Sequence, residues 1–85
     1  MKIVYFARLR EALGVDTEEF DFALLAKESA TVLDLKTALS ERGEQWQQAL
    51  NDRKVLVAID QEYGSDDSEI SQSSEVAFFP PVTGG

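Results

Sequence analysis

The segment that decides the fold reads TVLDLKTALSER, from Thr31 to Arg42. Its apolar residues recur at the three- and four-residue spacing of one helix face: Val32, Leu35 and Leu39. Thr31 is a favourable N-cap residue, Asp34 lies three residues later near a capping-box position, and Gly43 follows where a C-terminal cap belongs. The pattern therefore predicts a helix over Thr31 to Arg42.

Two segments that precede this helix have the character of strands. Ile3 to Ala7 is a β-branched and aromatic run, and the charged stretch from Arg8 to Asp16 bounds it. The segment TEEFDFALL, residues 17–25, alternates and places three apolar residues on one face: Phe20, Phe22 and Leu24. We expect the two segments to pair as a hairpin.

The segments that follow the helix predict one further helical turn and three strands. EQWQQAL, residues 44–50, spaces Trp46 and Leu50 as a short helix that packs on the core. KVLVAID, residues 54–60, is apolar on both faces, which is typical of a strand inside a sheet. A short return begins at Tyr63, the polar connection of residues 65–74 has Ile70 as its one apolar anchor, and the last strand spans Glu75 to Phe79.

This order of elements predicts an α+β fold, in which one main helix covers one face of a mixed sheet. It is the layout of the ubiquitin-like β-grasp. In that layout the first and last strands run parallel at the centre of the sheet, so the residues after Phe79 leave the sheet. We expect a β-grasp domain over residues 1–79 and a projecting, flexible tail over residues 80–85.

Composition removes several classes of function. The sequence has 16 acidic and 8 basic residues and a net charge of -8, which is unfavourable for nucleic acid or anionic membranes. This charge favours a protein partner, or serves solubility alone. Cysteine and histidine are absent, so thiolate and imidazole catalysis and Cys/His metal sites are not expected. No apolar run approaches the roughly 20 residues that span a bilayer, and we expect a cytoplasmic protein.

The tail itself carries the chemistry. Pro80 and Pro81 fix their φ angles and stiffen the exit, and with Val82 and Thr83 they lead to two glycines, Gly84 and Gly85. Six residues extend up to about 20 Å, far enough to thread into another protein. The glycines lack Cβ atoms, so a tunnel can approach the backbone of Gly85 closely. Activation with ATP would convert its carboxylate to an acyl-adenylate, which a sulfur donor or a lysine amine can attack.

The ending EVAFFPPVTGG, together with YFARLRE over Tyr5–Glu11, closely resembles the small subunits of molybdopterin synthases. The resemblance implies a sulfur carrier without a bound cofactor. An adenylating enzyme related to ubiquitin activators would activate Gly85 with ATP, and a sulfur donor protein would supply the thiocarboxylate. The tail would then enter the large subunit of a heterotetrameric synthase and donate sulfur to the cyclic pyranopterin precursor. Catalytic side chains would belong to that large subunit.

Three alternatives remain open at this point. A thiamin-type sulfur carrier shares the Gly-Gly ending, but is typically shorter and lacks the FFPPVTGG ending. A ubiquitin-like modifier would form isopeptide bonds through Gly85. A plain binding module would use only its sheet and a frayed end.

Alternation along the first and last strands predicts the docking surface. Phe79 and Phe6 fall on the face opposite the helix, beside the tail exit, where exposed apolar side chains usually mark a partner surface. The resemblance adds Tyr63 as a third member. It also implies that Arg10 pairs with an acidic residue of the large subunit, although an internal pair with Glu11 or a neighbouring acid is an alternative. The terminal carboxylate predicts basic residues along the partners' tail-receiving groove.

Overall fold

A computed structural model describes residues 1–52 and 54–80 of the chain. Its elements, in chain order, are β1 Lys2–Tyr5, α1 Ala7–Leu13, β2 Thr17–Glu19, a 3-10 helix Phe22–Leu25, β3 Ala30–Thr31, α2 Val32–Ser40, α3 Glu44–Leu50, β4 Leu56–Ile59, β5 Glu62–Tyr63, β6 Glu69–Ile70 and β7 Glu75–Phe79.

Five of the strands form a mixed sheet in the order β2-β1-β7-β4-β5. β1 and β7 are parallel neighbours, in register from Lys2 with Glu75 to Tyr5 with Phe78. β4 lies in the interior, antiparallel to both β7 and β5. The predicted ubiquitin-like β-grasp is confirmed, with the last strand at the centre of the sheet.

The predicted capping box of α2 is confirmed. The Thr31 hydroxyl accepts the Asp34 backbone N–H at 3.4 Å, and the Asp34 carboxylate accepts the Thr31 N–H at 2.9 Å. The helix ends at Ser40, with Glu41 as its C-cap, so the predicted end at Arg42 was too late. Gly43 is not its cap: with φ of 148° it directly precedes α3, because the chain turns at once into another helix.

The charged stretch after β1 proves to be a helix, α1, which the sequence analysis missed. β1 ends at Tyr5, and Ala7 already begins the helix. Leu9 is buried and Leu13, one turn later, packs against the core, so the helix has a narrow apolar face. Gly14 ends it at φ 74°, a left-handed position that glycine adopts readily. In the part of the chain that the structure describes, three α-helices therefore accompany the sheet, where the sequence predicted the main helix and the short helix of residues 44–50.

The second predicted strand is also shorter than its alternation indicated. β2 ends at Glu19, and the chain then forms a 3-10 helix whose first turn is capped by Asp21. Phe20 is buried, whereas Leu24 is 69% exposed, so these residues do not share one face. A side-chain hydrogen bond from the Ala23 N–H to the Asp21 carboxylate offers the backbone an alternative to the sheet ladder.

A second, two-stranded sheet pairs β3 with β6, with Ala30 opposite Ile70. The polar connection of residues 65–74 thus contains a strand, which its composition concealed. Ile70 is buried, as expected for its anchor.

The core lies between the helices and the inner face of the sheet. Its largest fully buried side chains include residues from β1, β7, α2 and α3: Ile3, Tyr5, Leu35, Leu39, Leu50 and Phe78. Trp46 packs edge-on against Tyr5 with ring centroids 5.7 Å apart, so its predicted packing role is confirmed. Within the described ranges, no helix has the length and apolar character needed to cross a membrane.

Candidate docking surface and tail exit

The topology fixes where the tail leaves the sheet. β7 ends at Phe79, which pairs with Leu56 of β4, while the Phe6 N–H donates to the Phe78 carbonyl at 3.1 Å. Pro80 follows half-buried. Because proline has no backbone N–H, it cannot extend the pairing of β7. β7 therefore ends at the centre of the sheet, between β1 and β4.

Three aromatic side chains form one cluster beside this exit, the aromatic patch of Phe6, Tyr63 and Phe79. The Phe79 ring lies edge-on to both others, with centroid distances of 5.6 Å to Phe6 and 5.8 Å to Tyr63. Phe6 is 46% exposed and Tyr63 is 75% exposed. Because both flank Phe79, that side chain is half-buried. The prediction that Phe79 is exposed was therefore only partly right.

Small residues at the centre of the outer face make this patch accessible. Ala58 lies opposite both Ala77 and Tyr63 in the ladder, so the alanines leave a depression between larger side chains. The depression has a volume of about 340 Å³ and is lined by the aromatic patch, these alanines, Gln61 and Glu75. An apolar floor with a polar rim is the usual make-up of a protein-binding surface.

Strand alternation explains why these rings face outward. Val76 and Phe78 are fully buried against the helices, whereas Ala77 and Phe79 point to the opposite face. The predicted inward and outward sets of β7 are thus confirmed. The structure brings Phe6, Phe79 and Tyr63 together as predicted, while their role in partner binding stays a prediction.

The remaining predicted site residues are placed only in part. Arg10 lies exposed in the second turn of α1, and it makes no ion pair among residues 1–52 and 54–80, including none with Glu11. Pro80 is at the exit. The other tail positions fall outside the described residues and stay predictions: Pro81, Val82, Thr83, Gly84 and Gly85.

Sequence reasoning missed a polar network on the helical side of the sheet. Both oxygens of the Glu18 carboxylate accept from the Arg42 guanidinium at 2.8 Å, and the Tyr5 hydroxyl donates to Glu18 at 3.0 Å. Hydrogen bonding from Arg42 lowers the pKa of Glu18, whereas burial, followed by the charge of Glu18, raises the pKa of Tyr5. Arg42 also stacks 4.6 Å from the Trp46 ring centroid. The strand-to-helix spacing of 24 residues gave no sequence signal for this contact.

This network has a structural role, because it ties β2 and β1 to the end of α2 on the face opposite the aromatic patch. Nowhere in the described part of the chain do His, Cys, Asp and Glu side chains form a group suited to a metal ion. Among the described residues, the aromatic patch is therefore the candidate recognition surface.

The fold defines a ubiquitin-like β-grasp protein whose central strand, β7, ends at Phe79. Comparison with known proteins narrows this class. The sequence profile of the ThiS family matches residues 3–85, and the chain belongs to that family.

Similar proteins share its whole length. The molybdopterin synthase sulfur carrier subunit of Escherichia coli is 39% identical over 85 residues, covering 100% of this chain and 99% of that protein. A solved Pyrococcus furiosus structure, assigned as molybdopterin converting factor subunit 1, has a TM-score of 0.76 at 34% identity, with 95% of each chain covered. Small archaeal modifier protein 1 of Haloferax volcanii has a TM-score of 0.72 at 27% identity, covering 96% of this chain and 97% of that one.

Proposed function

We propose that this chain is the sulfur carrier subunit of a molybdopterin synthase, and that it works by presenting Gly85 to its partners. The observation that carries the proposal is the exit itself: the central strand ends at Phe79, beside an exposed aromatic patch, and the Gly-Gly segment follows six residues or fewer beyond. The full-length similarity to a molybdopterin synthase sulfur carrier subunit supports the same function.

The chemistry begins with activation. The Gly85 carboxylate attacks the α-phosphate of ATP in an adenylating enzyme, forming an acyl-adenylate and releasing pyrophosphate. Sulfur at the oxidation level of sulfide, supplied by a donor protein, then attacks the carbonyl carbon and displaces AMP. The product is a C-terminal thiocarboxylate. The chain binds no cofactor in this scheme, and ATP belongs to the activating enzyme.

Delivery takes place in the large synthase subunit. The thiocarboxylate sulfur bonds to a carbon of the cyclic pyranopterin precursor and displaces an oxygen substituent from it, which forms a thioester. Water then cleaves the thioester, so the sulfur stays on the precursor and the carrier regains its carboxylate. Two such transfers form one dithiolene. The aromatic patch contributes the affinity for the large subunit, since buried aromatic anchors dominate most interfaces, and the glycines allow the tail to pass a narrow tunnel.

A second function is favoured by one specific observation, the similarity to small archaeal modifier protein 1 of Haloferax volcanii. A modifier would use the same acyl-adenylate, but a lysine amine would displace AMP and leave an isopeptide bond. The FFPPVTGG ending and the higher identity to the Escherichia coli protein favour the carrier.

Reconstitution tests the proposal. The chain is incubated with the adenylating enzyme, ATP and a sulfide source, and then with the large subunit and the pyranopterin precursor. Wild type should form the thiocarboxylate and yield molybdopterin, while a variant that lacks Gly85 should do neither. Leu24→Ala, a change at an exposed leucine outside the patch, serves as the matched control. Molybdopterin formation by a variant extended beyond Gly85 would refute the proposal.

A further inference from the structure

Some basic residues of this acidic chain form ion pairs within the domain, and others do not. Ion pairs within the domain hold the side chains of four of them: Lys2, Lys27, Lys36 and Arg42. Arg8, Arg10 and Lys54 form no ion pair within the described ranges. Arg8 lines a groove together with Pro80, and Lys54 directly precedes Val55 of the same groove.

One of these residues lines a groove that touches the tail exit. The groove, called here the Arg8 groove, has a volume of about 160 Å³ between α1, α3 and the segment before β4. Its lining includes Arg8, Leu9, Ala12, Ala49, Val55 and Pro80. It is largely apolar, with the Arg8 guanidinium and the Asp52 carboxylate among its lining groups. Lys54 adjoins Val55 in sequence and lies alongside the same end of β7, because β4 pairs with β7 up to Phe79.

The Arg8 groove and the aromatic patch lie on opposite sides of the same strand end. Phe79 belongs to the patch on the outer face, whereas Pro80, the next residue, lines the groove on the helical side. A protein that encloses the tail must pass around Pro80. It therefore meets both surfaces at once, which makes the groove continuous with the proposed interface.

The charges that line the Arg8 groove indicate which kind of partner side chain fits it. Asp52 also lines the groove, but its carboxylate accepts the Lys54 backbone N–H at 2.9 Å and forms no ion pair with Arg8 among the described residues. The Arg8 guanidinium, with five N–H donors in a planar fork, matches a carboxylate far better than a second cation or an apolar group. A basic tunnel mouth would be repelled by it.

We propose that the Arg8 groove is a second docking site, which receives an acidic side chain from the rim of the tunnel that takes the tail. The inference rests on the proposed function, since the partner is the large synthase subunit. The cation that the Gly85 carboxylate needs lies deeper in that tunnel, so the partner carries acidic groups at the mouth and basic groups inside. The acidic groups at the mouth would bind Arg8 and orient the carrier before its tail enters the tunnel.

Stopped-flow binding to the large subunit tests the proposal. Arg8→Gln and Lys54→Gln each lower the net charge by one, and Gln72→Glu makes the same change at an exposed residue that precedes the start of β7, at the opposite end of that strand from Pro80. We expect Arg8→Gln to weaken binding about 5-fold and the double variant about 10-fold, mainly through slower association. Arg8→Lys should retain most of the association rate. The differences should nearly vanish at about 1 M salt, where the screening length is roughly 3 Å.

The control separates a local site from a general charge effect. Equal losses for Gln72→Glu and Arg8→Gln, or no loss for the double variant, would overturn the groove proposal. The proposed function is scored separately, because the same samples are assayed for sulfur transfer at saturating carrier. If wild type neither binds the large subunit nor transfers sulfur, the proposed function fails; if it does both while the double variant binds normally, only the groove proposal fails.

Discussion

Phe79→Ala tests the aromatic patch as the anchor of the interface. The ring contacts Phe6 and Tyr63 edge-on at 5.6 and 5.8 Å, and such aromatic pairs contribute about 0.5–1.5 kcal/mol each. Because Phe79 is only half-buried, we expect the free energy of unfolding to fall by about 1–2 kcal/mol. Binding to the large subunit should weaken by about 2 kcal/mol, or roughly 30-fold in Kd, the magnitude of an interface hot spot.

A companion variant separates binding from folding. Tyr63 is 75% exposed and touches the patch only through Phe79, so Tyr63→Ala should lower the free energy of unfolding by less than about 1 kcal/mol. It should still raise the Kd about tenfold. Titration calorimetry and urea unfolding measure both quantities, with Leu24→Ala as control. If both patch variants bind with wild-type Kd while Phe79→Ala loses stability, the patch belongs to the fold and the docking argument is refuted.

Three further predictions follow from the described contacts and from the tail. Hydrogen bonding from Arg42 lowers the pKa of Glu18, so Glu18 stabilises the fold above its ordinary pKa of 4.5 and loses this effect as the pH falls through its depressed value. The stability gap between wild type and Glu18→Gln, measured by urea unfolding, should therefore narrow from pH 7 to pH 3, and a constant gap would contradict this. Gly64→Ala should cost about 1 kcal/mol of unfolding free energy, since its Cβ would displace the ends of the Ile59 and Ser68 side chains, and an unchanged melting temperature would contradict this. Gly84→Val should slow adenylation in a pyrophosphate-release assay without changing the melting temperature, and wild-type rates would show that the tunnel tolerates a side chain.

Much of the architecture follows from local pattern. Three patterns each specify one element: the capping box of α2, the apolar residues on both faces of β4, and the alternation along β7. The order of these elements leaves few possible arrangements of the sheet. The aromatic patch is predictable for the same reason: alternation along β7 orients Phe79 outward, and the parallel pairing of β1 with β7 brings Phe6 beside it.

What the sequence concealed has physical causes. α1 buries little more than Leu9 and Leu13, and it begins after Phe6 without a side-chain cap. Its charged residues therefore outnumber the apolar residues that would have indicated a helix. β3 and β6 span two residues each, which is too short for an alternating pattern to be recognised in the sequence. The pairing of Arg42 with Glu18, and the placing of Arg8 next to Pro80, depend on tertiary packing between segments far apart in sequence.

The most direct test of the account is the chemical state of Gly85 in the cell. Intact-mass analysis of the chain purified from its native host should show a fraction in which one oxygen is replaced by sulfur, and fragmentation should place that sulfur on Gly85. The fraction should disappear when the adenylating enzyme is deleted. If the chain is found only as the free carboxylate, or as isopeptide conjugates with lysines of other proteins, the proposed sulfur carrier function would be contradicted.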